Sequence, residues 1–171
     1  LKELEYAGYH FEAADASLEL LMRAASGWSH DYFTLESFSV NVGHRSGSGS
    51  RAWNDVAVQA ATDATVKVYV GGERVVATGE GNGPVNALDS ALRKALGDRF
   101  PELERLHLTD FKVRVLEARQ GTGAVTRVLI DTTNGERTWT TIGVSENIIE
   151  ASWQALVDSL VFGILHTDDQ A

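Results

Sequence analysis

The amino-acid sequence predicts an α+β fold in which a strand-strand-strand-helix unit occurs twice, the two copies related by a pseudo-twofold axis, behind a short N-terminal helical segment. Three observations carry this prediction. Short stretches of alternating apolar and polar residues precede each of two strongly helical stretches. The tripeptide Gly72-Glu73-Arg74 recurs as Gly135-Glu136-Arg137. The helical pattern Ala87, Ala91, Leu92 and Leu96 recurs at Ala151, Ala155, Leu156 and Leu160, which makes the order of elements a duplication.

Taken in order, "LKELEYAGYHFEAADASLELLMRAASG" predicts two short helices separated at Gly8. The second carries an apolar stripe of Ala14, Leu18, Leu21, Met22 and Ala25 that needs a surface to pack on. Phe33 to Arg45 alternates, with Phe38, Val40 and Val42 on one face and Ser37, Ser39 and Asn41 on the other, as in a half-buried strand. "RSGSGSRAWND" has the composition of a flexible loop. "TVKVYV" alternates at Val66, Val68 and Val70, and Gly71-Gly72 turns it into "ERVVATGE", a hairpin signature. A helix then starts at Pro84, whose missing N–H costs nothing at the first helical position, and Gly97 stands where a left-handed cap would end it. Its apolar face is Val85, Leu88, Ala91, Leu92, Ala95 and Leu96, opposite Asn86, Asp89, Ser90, Arg93 and Lys94, so the helix lies on a sheet.

The second copy follows the same order. "LTDFKVRVLEAR" is a strand with Phe111, Val113 and Val115 on one face, "AVTRVLIDTT" is the next, and Asn134-Gly135 is a hairpin turn into "ERTWTTIGV". "SENIIEASWQALVDSL" supplies the helix, with a stripe of Ile149, Trp153, Leu156 and Leu160 and with Ser145 as N-cap. A repeated unit with a bare helical face or sheet edge finds its complement in its twin or in a second chain.

Composition excludes several classes of function. The chain has 171 residues, 43% of them hydrophobic and 23% charged, which suits one globular domain or one domain with a small appendage. A formal charge of −9 and a pI near 4.9 oppose nucleic acid, because phosphate binding needs a basic face. No apolar run approaches the roughly 20 residues of a membrane span, and no signal peptide is evident, so no membrane partner is expected and the chain reads as cytosolic. The absence of cysteine removes disulfides, thiol nucleophiles and cysteine-ligated zinc, and agrees with a reducing compartment. The chain begins with Leu1 and reads as a fragment.

The stretch "GEGNGPVNALDSALRKAL" is the candidate site. Two readings of its glycine-rich turn stand open. Gly81 and Gly83 either permit only the backbone path from strand to helix, or leave N–H groups at the helix start free to receive a carboxylate. A phosphate loop is disfavoured because the Gly-Lys-Ser/Thr ending is missing. Glu146 and Glu150, at the start of the second helix, are ordinary partners of the helix dipole rather than an acid-base pair.

The pair "GEGNGPVNALDSALRKAL" and "GVSENIIEASWQALVDSL", with "TDFKVRV" between them, resembles the C-terminal allosteric domain of the 2-isopropylmalate synthase and citramalate synthase family over about Phe33 to Leu160. "LKELEYAGYHFEAADASLELLMRAA" is similar to the end of the linker subdomain that joins this domain to the catalytic barrel in citramalate synthases. The resemblance divides the chain into a linker end at 1–31, a duplicated regulatory domain at 32–165 with units at about 33–97 and 106–165, and a tail at 166–171 that holds Asp168 and Asp169. It implies a parent acyltransferase that condenses acetyl-CoA with a 2-oxo acid in a metal-dependent barrel. It implies also a homodimer that binds a branched-chain amino acid as feedback inhibitor. The wording "GVSENIIEASWQALVDS" and "GYHFEAADASLELL" favours the citramalate side, hence pyruvate as second substrate and isoleucine as effector. The alternatives are a 2-isopropylmalate synthase domain that binds leucine and a dimerisation module without ligand.

For this chain the resemblance implies no catalytic residue, metal ligand or cofactor. The divalent metal belongs to the barrel, and none of His10, His30, His44, His107 and His166 stands in the family's His-x-His pair. It places the effector between Gly81, Asn82, Gly83, Pro84, Val85 and Asn86 and the matching Ser145, Glu146, Asn147 and Ile148. An apolar slot would use Val85 and Asn86 with Leu108, Phe111 and Val115, closed by Val125. Because Leu108, Phe111 and Val115 do not alternate in one register, a twist or bulge must bring them to one face. In relatives the position of Phe111 is often Tyr, so a hydroxyl is lost here.

Overall fold

The computed structural model describes residues 9–44, 60–116 and 124–168. The helix expected before Gly8, the whole "RSGSGSRAWND" loop and the last three residues lie outside them. In chain order the elements are helix α1 (Asp15–Ala25), strands β1 (Thr34–His44), β2 (Ala60–Val70) and β3 (Glu73–Gly81), helix α2 (Pro84–Leu96), strands β4 (His107–Val115), β5 (Thr126–Thr133) and β6 (Thr138–Ser145), and helix α3 (Ile148–Asp168). The chain forms two compact units, Phe33–Arg99 and the residues up to Tyr32 with those from Phe100 onward. Each contains one antiparallel three-stranded sheet followed by a helix, so the predicted duplication is present.

In the first unit the strand order is β1-β2-β3. Val70 pairs with Glu73 across Gly71 and Gly72, whose φ values of 58° and 83° are the double left-handed geometry of a two-residue hairpin loop. Helix α2 starts at Pro84 and buries Ala87, Leu88, Ala91, Leu92, Ala95 and Leu96 against Ala64, Val66 and Val68 of the sheet. A Cβ at Gly79 would overlap the backbone of Ala87 and Ala91, so glycine there sets how closely the helix approaches β3. Gly97 departs from expectation. Its φ of −60° is right-handed and its N–H bonds Arg93 O at 2.8 Å, so the helix end is continued rather than closed by a left-handed residue.

The second unit repeats the scheme as β4-β5-β6. Val128 and Ile130 are buried on the sheet face that meets Ala151, Ala155, Leu156 and Leu160 of the helix, while Ile142, on the opposite face, packs with Phe11 and Ala14. A Cβ at Gly143 would overlap the Ala151 carbonyl, the counterpart of Gly79 in the first unit. The Asn134-Gly135 turn is longer than the two residues expected. Thr133 pairs with Thr138, and the Asn134 side chain closes the four-residue loop by accepting the N–H groups of Glu136 and Arg137 at 3.0 and 2.8 Å.

Helix α3 is longer and more apolar than the sequence reading allowed. It runs through Asp168, into the expected tail, and its segment Ile148–Thr167, with a mean hydropathy of 1.5, is long and apolar enough to cross a membrane by length and composition. Here 67% of that segment is buried, because the sheet covers one side and α1 another. Helix α1 packs on α3 and β6 with part of the predicted stripe: Ala14 is buried and Leu18 and Leu21 pack on the Phe11, Ala14 and Ile142 cluster, whereas Met22 and Ala25 are exposed. Ala16, Ser17 and Leu20 are buried while Met22 is 62% exposed. The contact also has a polar part. Outward N–H groups of the edge strand β6 are taken up by α1 side chains, Thr140 N by Asp15 Oδ1 at 3.0 Å and Ile142 N by Ser17 Oγ at 3.0 Å. Gln154 of α3 accepts the next one, from Val144, at 3.1 Å. An edge strand left open is a template for unwanted pairing, and α1 closes this one.

Candidate functional site

The glycine-rich turn lies in the first unit at the start of α2. Gly83 is the N-cap, extended at φ −171° and ψ 174°, and no side chain caps the helix end. The first helical bond is Ala87 N to Gly83 O at 3.0 Å. Pro84 has no N–H, so Val85 and Asn86 carry the N–H groups at the open helix end. The Asn86 side chain folds back and accepts the Asn82 N–H at 3.2 Å. Gly81 and Gly83 play different parts. A Cβ at Gly81 would collide with Asn86 Oδ1 and Ala87 N, so its small size serves helix packing, whereas a Cβ at Gly83 meets nothing within 4 Å. Only Gly83 faces open space.

The matching turn in the second unit is built otherwise. Asn147, not Ser145, caps α3, its Oδ1 accepting Ile149 N at 2.9 Å while its carbonyl takes Ala151 N at 2.9 Å. Ser145 Oγ accepts the Asn147 N–H at 3.1 Å and steadies the turn before the helix. Glu146 and Ile148 are exposed. The two helix starts are topologically equivalent and chemically unequal: the first open, the second closed by its own asparagine.

Strand β4 contains the bulge that the slot requires. Leu108 pairs with Thr132, Asp110 with Asp131 and Phe111 with Ile130, so Thr109 is the extra residue and Leu108, Phe111, Val113 and Val115 share one face. Asp110 Oδ1 takes the Phe111 N–H at 2.8 Å, and Lys112 bridges Asp110 at 2.7 Å and Asp131 at 3.3 Å on the opposite face. The hydrogen bond from Lys112 and that from the Phe111 N–H hold the Asp110 carboxyl below the usual range.

Leu108 and Val115 stand at opposite ends of β4, roughly 20 Å apart at the strand rise per residue. Val115 pairs with Thr126, and Thr126 with Ser145, so Val115, Val125 and the Ser145–Ile148 turn gather at one end of the sheet. Val125 O accepts Leu116 N at 2.7 Å. Phe111 lies along the strand between the two ends.

This β4 face carries the apolar side of the sheet beyond the reach of α3, which packs on β5 and β6. Phe111 is 41%, Val113 38% and Val115 58% exposed. Strand β1 repeats the feature, with a bulge between Leu35 and Ser37 that aligns Leu35, Phe38, Val40 and Val42. The shared wording Leu-x-x-Phe-x-Val-x-Val, in "LESFSVNV" and "LTDFKVRV", is a repeat that the sequence reading passed over. Among the described residues no group of three His, Asp or Glu side chains could hold a metal ion.

The family model of the LeuA allosteric (dimerisation) domain matches residues 12–162. The chain is 52% identical over 166 residues, 96% of its length, to a protein of Streptomyces coelicolor named (R)-citramalate synthase. It is 48% identical over 164 residues to one of the same name from Synechocystis. Similarity to a 2-isopropylmalate synthase of Pseudoalteromonas atlantica is 34% over 108 residues, 63% of the chain. The chain spans 29% of the length of the two citramalate synthases.

Proposed function

The chain belongs to the LeuA allosteric (dimerisation) domain family, and from that premise we propose that it is the regulatory domain of a citramalate synthase, a homodimer that binds isoleucine as feedback inhibitor. The names of the Streptomyces coelicolor and Synechocystis relatives support the citramalate side. The parent would be a cytosolic acyltransferase that joins acetyl-CoA to pyruvate, with its catalytic residues and divalent metal in a barrel outside this sequence.

The open N-terminus of α2 carries the ligand reading. Val85 and Asn86 offer N–H groups at the positive end of the helix dipole, no side chain competes for them, and Gly83 leaves the approach clear. An amino acid carboxylate fits that chemistry. The capped start of α3 does not offer it, which makes the first unit the one that receives the carboxylate.

A dimerisation module without ligand is the second reading, favoured by the bare Leu-x-x-Phe-x-Val-x-Val faces, which need a partner surface and no small molecule. Calorimetric titration of the chain with isoleucine, leucine and valine separates the readings. Saturable heat with isoleucine alone supports the citramalate assignment, and with leucine alone the 2-isopropylmalate one. Silence from all three, in a protein that sediments as a dimer, leaves the module.

A further inference from the structure

A cavity of about 510 Å3 lies in the second unit between α1, β6 and α3, far in character from the polar turn at α2. Its walls are apolar at Leu20, Leu21, Trp28 and Val161, and one ionisable carboxyl, that of Asp158, reaches into them. Ser17 Oγ donates to Asp158 Oδ2 at 2.6 Å. Among the described residues this carboxyl has no other partner, and no lysine or arginine lines the cavity. A carboxylate has about four acceptor positions, so most of its capacity faces inward unused.

Several other polar atoms on the wall are engaged. The Ser17 oxygen accepts Ile142 N, the Tyr9 hydroxyl donates to Gln154 Oε1 at 3.1 Å, and that same oxygen accepts Val144 N. His30 is held below its usual pKa by burial and is neutral at pH 7. Among the described residues the cavity wall offers no cation, and what it accepts is hydrocarbon. We propose that this cavity binds a small aliphatic primary ammonium compound, its NH3+ group on Asp158 and its carbon chain against Leu20, Leu21 and Val161. A free amino acid is excluded, because its carboxylate would sit beside Asp158 with no cationic side chain on the wall to receive it. The site is therefore separate from the isoleucine reading and does not depend on it.

Binding requires the ionised carboxylate. Burial pushes the Asp158 carboxyl up to about 6, so affinity should rise with pH through that value and then level. The other titratable groups on the wall are Tyr9 and His30, which flank α1. Burial and the charge of Asp158 raise Tyr9, so it stays protonated, and α1, β6 and α3 add no further titratable group to the wall.

The test is calorimetry and thermal unfolding of the 171-residue chain with 3-methylbutylamine at pH 8 and pH 5, beside 3-methylbutanol and isoleucine. The proposal expects saturable binding of the amine at pH 8 with a rise in Tm, and affinity about tenfold weaker at pH 5. It expects a loss of at least tenfold in Asp158→Asn, whose side chain keeps the shape without the charge. Ala24→Phe, which fills the mouth from an exposed helix position, should abolish binding and serves if Asp158→Asn misfolds. No amine binding at millimolar concentration, equal affinity for the alcohol, or displacement of the amine by equimolar isoleucine would each overturn it.

Discussion

Ser17 Oγ lies 2.6 Å from Asp158 Oδ2 and 3.0 Å from the Ile142 N–H, so one buried hydroxyl ties α1 to the middle of α3 and to the edge of β6. Both of its roles are filled, donor toward the carboxyl and acceptor from the strand. Ser17→Ala would strand a buried backbone N–H. The expected cost is about 1–3 kcal/mol, read by urea unfolding of the chain. The loss should exceed that of Ser26→Ala, where an exposed hydroxyl bonds only the Arg23 carbonyl at the end of the same helix.

Asp158 gives stability a pH dependence of known sign. Its folded pKa of about 6 lies above the ordinary carboxyl value of 3.8, so between those values the native state holds a proton that the unfolded chain has released. Stability from this group is therefore present in full below about pH 4 and is lost as pH rises to about 6, by roughly 2–3 kcal/mol for a shift of this size. Other carboxyls contribute slopes of their own. The difference between the parent and Asp158→Asn isolates this one, and unfolding free energies across pH 4 to 8 should show the variant gaining on the parent as pH rises.

Close packing and open space distinguish glycines that look alike in sequence. Gly143→Ala would drive a Cβ into the Ala151 carbonyl, forcing α3 off the sheet at an expected cost of about 2–4 kcal/mol, in the range of overpacked or strained cores. Gly83→Asp has room for its side chain and places a good capping group at an uncapped helix start. That variant should melt no lower than the parent and bind isoleucine at least tenfold more weakly, since the new carboxylate occupies the N–H groups and repels the ligand. Isoleucine binding as tight as in the parent would reduce the turn to a backbone hinge.

The duplication was legible because each unit repeats strong local signals. Pro84 fixed the start of α2, Gly71-Gly72 fixed the first hairpin, and the alternation of Val66, Val68 and Val70 marked the buried strand. Where tertiary needs overrode local pattern, the reading failed. Helix α1 keeps Ala14, Leu18 and Leu21 of its predicted stripe on the core but leaves Met22 exposed and buries Ser17, because Asp15 and Ser17 satisfy strand N–H groups that hydrophobic periodicity does not register. Gly97 does not adopt the left-handed geometry that glycine permits, and Asn147 rather than Ser145 captured the first turn of α3, since both are capping residues and only the path of the chain chooses. The spacing of Leu108, Phe111 and Val115 calls for a twist or a bulge, and the structure has a bulge at Thr109, while the same spacing in β1 carries a bulge that the letters signalled equally. Asp158 gave no signal, because its surroundings come from α1, far away in sequence.

The bare face of β4 leads to the last prediction. Phe111 and Val113 pair with the buried Ile130 and Val128 and continue their face, yet stand 41% and 38% exposed because α3 covers only the other two strands. Contiguous apolar surface of this kind is seldom left to water, and a homodimer would cover it. Phe111→Glu and Val113→Lys should therefore shift the chain toward monomer, raising the dimer dissociation constant at least tenfold, because a charge buried without a partner is costly. The fold should survive, since the substituted side chains can remain in water in the monomer, and far-UV circular dichroism checks this. Val76→Lys is the control. Val76 is also half exposed, but it pairs with Lys67 on the sheet face opposite Val66, and its substitution should leave sedimentation unchanged. If both β4 variants sediment as the parent does at micromolar concentration while Val76→Lys dissociates, then the opposite face of a sheet holds the two copies together, and the Leu-x-x-Phe-x-Val-x-Val stripe is not the dimer surface.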